Sequence, residues 1–201
     1  MNGDDLPVGS AAWWEARYAS GDAPWDTGIV PPEVVALMRS DRLRHGWALD
    51  LGCGSGVTSR YLAQQGFRVV GVDLALNALR RAREAAADQG LLAFFCLGDV
   101  TDLGFLRLSA DLAVDIGCFH SLPAEQRPIY IASLADHLLP GACYLLYAFV
   151  RPAAEAAGRS GVAPADLALF APAFSLCRAQ HGLDRDRPAA WYLWRRAGAS
   201  A

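Results

Sequence analysis

The sequence predicts an α/β fold: a mixed, mostly parallel sheet with helices on both faces that ends in an antiparallel hairpin. Three observations carry that reading. From Trp47 onward, short apolar runs alternate with amphipathic stretches, the pattern of β and α elements in turn. The run over 142–149 is almost continuously apolar, as in a strand buried on both faces. The final two runs, 173–180 and 189–195, are separated only by a polar turn spanning Gly182 to Pro188, which makes them a hairpin.

The elements follow in order. The first 45 residues are rich in Trp, Pro and Gly. Ser10 can cap a helix through about Ala19, with Trp13, Trp14, Arg17 and Tyr18 at helical spacing, and Gly21 ends it. The segment 23–28 reads as a loop, and Pro31-Pro32 opens a second helix through about Ser40. The first strand is expected at 47–51. Its helix, near 55–65, places Val57, Tyr61 and Leu62 on one face. A strand at 67–72 precedes a helix near 76–88 whose Leu76, Leu79 and Ala86 face inward. Strands at 92–97 and 110–116 come next. Pro128 then starts a helix that Pro140-Gly141 is expected to stop, ahead of the strand at 142–149. A short helix near 164–170 leads into the hairpin. The connector between Val150 and Pro172 is Ala/Gly/Pro-rich and short, which leaves little room for a polymeric acceptor.

At 201 residues the chain suits one domain, with 1–45 as an N-terminal helical lid and 46–201 as the α/β core. Apolar residues make up 53% and charged residues 19%, which excludes a disordered chain. The formal charge of −3 and the absence of a Lys/Arg stripe argue against a nucleic-acid partner. The densest basic groups, Arg80-Arg81-Arg83 and Arg195-Arg196, read as solvated faces. The five cysteines are isolated and lack ligand spacing, so no metal site is expected. Met1 to Ser10 shows no leader pattern, and no apolar stretch reaches the ~18 residues of a membrane span. A cytoplasmic location without a membrane partner is the resulting expectation; the oligomeric state is not legible.

The chemistry is concentrated between Ala48 and Asp73. An apolar run ending in an acid, Ala48-Leu49-Asp50-Leu51, is followed by Gly52-Cys53-Gly54-Ser55-Gly56, a helical stretch and a second apolar run that closes on Asp73. This is the outline of a nucleoside-binding βαβ unit. Glycines permit a close approach of backbone to ligand. Asp73 lies 21 residues past Gly52, about where such units place a carboxylate that accepts ribose hydroxyls. A nicotinamide enzyme would want G-x-G-x-x-G, yet Val57 follows the third glycine directly. Asp50 beside a diphosphate would be repulsive, whereas beside a cationic ligand it is favourable. No Walker lysine follows the loop.

Leu49 to Gly56 resembles motif I of the class I S-adenosylmethionine (SAM)-dependent methyltransferases. Asp73 resembles that family's ribose-binding acid, and Gly98-Asp99-Val100 its adenine-flanking segment. The resemblance implies a Rossmann-like sheet of order 3-2-1-4-5-7-6 with strand 7 antiparallel, and SAM as the cofactor. It marks Asp50, Gly52, Cys53, Gly54, Gly56, Asp73, Leu74, Asp99, Val100, Ile116 and Gly117 as cofactor-binding candidates. Trp13-Trp14-Glu15-Ala16-Arg17-Tyr18 followed by Pro24-Trp25-Asp26 is similar to the N-terminal cover of the small thiol, thiopurine and tellurite-resistance type methyltransferases. That similarity places Trp25 over the SAM site, where an indole face could meet the sulfonium; the alternative is that it plugs the lid. Asp50 is expected to take backbone hydrogen bonds from the glycine loop and shape it.

Methyl transfer is an in-line displacement on an already activated methyl, so alignment and exclusion of water matter most. The acceptor is expected above the carboxyl end of the fourth strand, which reads Asp115-Ile116-Gly117-Cys118-Phe119-His120-Ser121. It lacks the N-P-P-Y segment of nucleic-acid amine methyltransferases. His120 is the catalytic candidate, as general base or substrate hydrogen-bonder; the alternative is a histidine bonded to loop backbone. Tyr18 could approach the acceptor from the lid. Asp115 could hold the loop, and Cys118 reads as a pocket-lining thiol. The expected function is methyl transfer to a small molecule, at a thiol or other soft heteroatom. O- or N-methylation and non-catalytic SAM binding are the rivals.

Overall fold

The computed structural model describes residues 6–40, 43–151 and 160–198. These fall into two compact units, one ending at Asp99 and the other beginning at Val100.

In the first unit, helix α1 (Ala11–Ser20) begins where the Ser10 hydroxyl accepts the Trp13 amide at 3.2 Å, and it stops at Gly21, whose φ is +79°. Helix α2 (Pro32–Met38) carries Pro32 in its first turn. Strand β1 (Trp47–Leu51), helix α3 (Val57–Gln64), strand β2 (Arg68–Asp73), helix α4 (Leu76–Ala87) and strand β3 (Ala93–Leu97) complete the unit. β2 pairs in parallel with β1 and β3, with Leu49 opposite Val70 and Val70 opposite Phe94. Leu49, Leu51, Leu62, Val69, Val72 and Leu79 are wholly buried. One cluster beneath α4 joins Cys53, Leu79, Ala82, Ala86 and Phe95. A second joins Tyr18 of α1 to Ala75 and Ala78.

The second unit holds strand β4 (Ala110–Ile116), helix α5 (Arg127–Asp136), strand β5 (Leu138–Phe149), helix α6 (Pro164–Ala168) and the hairpin β6 (Phe174–Asp184) and β7 (Arg187–Arg196). Its core is aromatic: Phe170 stacks on Trp194 at 4.8 Å and on Tyr144 at 5.8 Å, and its ring lies 5.1 Å from that of Phe119. The seven strands are ordered β3-β2-β1-β4-β5-β7-β6, with β7 antiparallel to both neighbours, the arrangement the resemblance implied.

Two boundaries differ from expectation. Pro140-Gly141 does not stop α5, which ends at Asp136; both residues lie inside β5. Ala110 pairs with Leu138 and Leu112 with Cys143, so residues 139–142 bulge out of the ladder. A bulge suits a proline that cannot donate and a glycine at φ +79°. The hairpin turn is also shorter than expected. It is Arg185-Asp186 alone, both left-handed at φ +48° and +64°, the geometry of a two-residue turn that matches strand twist. Gly182 and Pro188 belong to the strands, opposite Ala189 and Leu183 respectively. The connector after Val150 lies outside the described residues over 152–159, as does the beginning of the chain over 1–5. Among the described residues no helix is long and apolar enough to cross a membrane.

Candidate functional site

The glycine loop is latched to the end of β2. The amides of Gly52 and Cys53 both donate to the Val72 carbonyl, at 2.8 and 3.1 Å. The Gly54 amide donates to Oδ2 of Asp73 at 2.8 Å, and the Ala75 amide to Oδ1 at 2.8 Å. Gly52, Gly54 and Gly56 have φ of +68°, +53° and +73°, which L side chains resist. Burial pushes the Asp73 carboxyl up from its ordinary range, against the lowering effect of the Ala75, Gly54 and Leu74 amides.

Asp50 does not shape this loop as expected. It is buried, and its Oδ2 accepts the Ser59 hydroxyl at 2.6 Å, so it ties β1 to α3. Burial, opposed by the bonds from Ser59, raises its pKa to about 6. The acid that receives a glycine-loop amide is Asp73, because the parallel register sets β2's end beside the loop.

The missing side chains of the loop have two different uses. A Cβ on Gly56 would fall 2.8 Å from both Ala82 Cβ and Phe95 Cε1, so that glycine serves packing of the loop against α4 and β3. A Cβ on Gly54 would fall 2.5 Å from the Tyr18 hydroxyl oxygen. Tyr18, itself buried, thus rests on the loop, and its hydroxyl accepts from Trp25 Nε1 at 3.0 Å. Burial foremost, then the nearby Asp73 charge, raises the Tyr18 pKa. A phenol held protonated in this way is a poor base.

Trp25 is 41% exposed and belongs to a tryptophan cluster, stacked on Trp13 at 6.0 Å and edge-on to Trp14 at 5.2 Å. The neighbouring Asp26 accepts the Ser55 hydroxyl at 2.7 Å, joining the Pro24-Trp25-Asp26 segment to the glycine loop. Glu15 takes the Asn77 amide and side chain at 3.0 and 2.6 Å, pinning α1 to the start of α4. Cys53 is buried within the α4 cluster, Leu74 is half-buried beside Asp73, and Asp99 is exposed just past β3.

In the second unit, the end of β4 is built around Asp115, which is fully buried. Its Oδ1 accepts the Cys118 amide at 2.8 Å. Its Oδ2 accepts the Phe119 amide at 2.9 Å and the Tyr130 hydroxyl at 2.7 Å, and that hydroxyl in turn lies 3.0 Å from Tyr144's. Asp115 therefore positions the loop, as read from the sequence. Ile116, Gly117 and Cys118 are half-buried at the strand end, and Val100 is buried at the start of the unit.

His120 follows in a single 3-10 turn and is 6% exposed. Its Nδ1 accepts the Phe149 amide at 3.3 Å, and the ring lies 5.0 Å from the Phe149 ring. Burial foremost, then the charges of Arg187 and Arg127, lowers its pKa to about 4, so it is neutral at pH 7.

Arg127, which sequence reasoning missed, braces this turn from α5. Although buried, it donates to the carbonyls of Leu122, His120 and Gly161 and pairs with Asp166 at 2.5 Å. Its place directly before Pro128 at a helix start was the one available signal, because an arginine there opposes the helix dipole unless otherwise held. Tyr130 and Tyr144 were missed because in sequence they look like core aromatics. Among the described residues, no cluster of His, Cys, Asp and Glu could hold a metal ion.

Residues 48–141 match the family model described as a methyltransferase domain. The chain is 34% identical over 131 residues to 2-heptyl-1-hydroxyquinolin-4(1H)-one methyltransferase of Mycobacteroides abscessus, an alignment covering 65% of this chain and 57% of that protein. It is 33% identical over 129 residues to thiocyanate methyltransferase 1 of Brassica oleracea, covering 63% and 57%. The chain thus spans little more than half the length of these curated relatives. A solved structure from work on the conversion of a disulfide bond into a thioacetal group during echinomycin biosynthesis superposes with a TM-score of 0.75 at 25% identity, covering 89% of this chain and 87% of that one. The sheet order and these matches agree: residues 48–141 are a methyltransferase domain, and the chain has the fold of the class I SAM-dependent methyltransferases.

Proposed function

We propose that this chain transfers the methyl group of SAM to a small-molecule acceptor, with a thiol or other soft heteroatom as the methylated atom. The observation that carries the reading is the three-glycine loop latched to Asp73 through the Gly54 amide. The residues present fit the donor. Gly54 is capped by the Tyr18 hydroxyl, while the carboxylate of Asp73 has about four acceptor sites, more than its amides fill. Asp73 would hold the ribose, the backbone of Gly52, Cys53 and Gly54 the methionine portion, and Leu74, Asp99 and Val100 the adenine. Ile116 and Gly117 would border the methionine end, as the family resemblance implies.

When bound, SAM supplies an activated methyl, so the chain's own task is to align the acceptor and exclude water. Residues 1–45 would serve as the lid over a core of 46–201. Trp25 offers the indole for a sulfonium contact worth roughly 0.5–2 kcal/mol. Tyr18 belongs with the donor loop and not with the acceptor, because its hydroxyl rests on Gly54. Asp50 acts at one remove, by fixing α3 to β1.

Sulfur acceptance is supported by the thiocyanate methyltransferase relative. A second reading, oxygen methylation of an N-hydroxy heteroarene, is favoured by the quinolone methyltransferase relative. Incubation with SAM and a panel of aromatic thiols, N-hydroxyquinolones, phenols and amines, followed by mass spectrometry of the product, tests both. A thiol-derived thioether is the expected product. SAM binding by calorimetry without any S-adenosylhomocysteine across the panel would instead identify a non-catalytic SAM-binding protein.

A further inference from the structure

We propose that the acceptor is taken as an anion whose nucleophilic atom accepts the Nε2–H of His120, so that His120 is a hydrogen-bond donor and not a general base. The inference rests on the methyl-transfer reading above and names the acceptor class of that same site.

The tautomer follows from geometry. A backbone N–H can only donate, so the Phe149 amide, 3.3 Å from Nδ1, requires that nitrogen to be unprotonated. A neutral imidazole has one N–H, and here it must be on Nε2. To work as a base the ring would have to take a proton at Nδ1, which is turned to the main chain and already occupied. Nε2, by contrast, has no hydrogen-bond partner among the described residues, although the residue is 6% exposed. It faces Gly117: a Cβ built there would lie 3.4 Å from Cε1 and 3.9 Å from Nε2. Nε2 is not among the fully enclosed polar atoms that lack a partner, so its N–H is open on this side, where an acceptor atom of a ligand can meet it.

The surrounding charges select a negative one. Arg127 of α5 lies behind the His120 carbonyl, with its charge met by Asp166, which Arg151 also approaches. Arg187 of β7 sits with its guanidinium 3.7 Å over the Phe149 ring and donates to the Ser160 carbonyl. Among the described residues it pairs with no carboxylate. The nearby acids are otherwise engaged. Asp184 of β6 accepts the Tyr147 hydroxyl at 2.6 Å, and Asp115 of β4 accepts the Cys118 and Phe119 amides and the Tyr130 hydroxyl. Both arginines disfavour an imidazolium, which keeps the Nε2–H donor neutral and available.

The neighbouring rings favour a flat molecule. Tyr147 packs against Trp191 at 5.0 Å and Phe149 at 5.9 Å, beside the His120 ring. The class that fits is an aromatic compound with an acidic S–H or N–O–H group, not an alcohol or an amine. Its proton leaves to water before or during binding. The lone pair of the anion then forms the new bond to the methyl carbon, while the C–S bond pair of SAM passes to sulfur, leaving a neutral thioether. The anion's charge and the sulfonium's charge cancel, and no proton remains on the protein.

Spectral titration of the full chain without SAM tests this, using 4-nitrothiophenol and 4-nitrophenol, whose neutral and ionised forms absorb at different wavelengths. The expected result is saturable binding with the ionised form bound at least about tenfold tighter, a fall of about one unit in the bound probe's pKa. His120→Ala should abolish that preference and His120→Gln, which retains an N–H donor, should restore most of it. The pH profile of kcat/KM should track each acceptor's own ionisation. Binding of the neutral probe, absence of saturable binding, or a pH profile that follows His120 substitution and not acceptor pKa would overturn the proposal. Because the titration omits SAM, its failure is separable from absence of methylated product, which bears on the function itself.

Discussion

The amide of Gly54 donates to Oδ2 of Asp73 across 2.8 Å, so one carboxylate both closes the glycine loop and stands at the end of β2 where a ribose would lie. Removing it should therefore act twice. Asp73→Ala loses charge-assisted bonds to the Gly54 and Ala75 amides and any bond to the donor. SAM binding is expected to weaken by more than ~1 kcal/mol, read by calorimetry. An unchanged affinity would remove Asp73 from the ribose.

Gly54 and Tyr18 should be coupled. Gly54→Ala places a side chain at φ +53° and within 2.5 Å of the Tyr18 hydroxyl oxygen. The backbone part alone should cost about 1–2 kcal/mol, with the clash added to it. Tyr18→Phe removes the oxygen, so the double variant should be more stable than the sum of the two single effects. Urea unfolding of the four proteins in the cycle measures the coupling. Strict additivity would mean that Tyr18 does not rest on the loop.

The Asp115 network should be uneven in its energetics. Tyr130→Phe takes a hydroxyl donor directly from a buried carboxylate and should destabilise by about 1–3 kcal/mol. Tyr144→Phe touches Asp115 only through Tyr130 and should cost less. Denaturation midpoints of the two variants give the order, and the reverse order would contradict this arrangement of donors.

Acid titration should separate His120 from Asp50. His120 falls from about 6.5 in an unfolded chain to about 4 in the fold, so the unfolded state binds the extra proton between these values. Its contribution to stability is present above about 6.5 and lost as pH falls to 4. Asp50 is raised to about 6, so the native state holds the extra proton, and its contribution is lost as pH rises through 6. Asp73 shares the sign of Asp50. Each of the first two effects is at most roughly 3 kcal/mol, and they oppose one another in the wild type. Against wild type, stability of His120→Asn should fall more steeply with pH between 4 and 6.5, and that of Asp50→Asn should rise more steeply. Parallel curves for all three proteins would contradict both shifts.

The donor half of the site was legible in the sequence because it is local. Asp50, the loop and Asp73 lie within one strand-loop-helix-strand unit, and left-handed backbone at positions 52, 54 and 56 calls for glycine. The same local reading gave the loop-shaping role to Asp50, where the structure gives it to Asp73. Which one reaches the Gly54 amide depends on the β1–β2 register, and spacing does not encode that. The Pro140-Gly141 pair was read as a helix stop because both residues break helices; only the pairing of Leu112 with Cys143 shows that they form a bulge.

By itself, the sequence determined the alternating α/β order, the glycine loop and the family resemblance, because periodicity and backbone conformational preference act over a few residues at a time. Tertiary structure alone decided how the end of β4 is wired. Arg127 reaches carbonyls at 120 and 161, Tyr130 reaches back to Asp115, and the Phe149 amide sets which nitrogen of His120 carries its proton. Those partners meet only once strands are in register and water is excluded. Burial then makes each unpaired polar atom costly enough to dictate its neighbour.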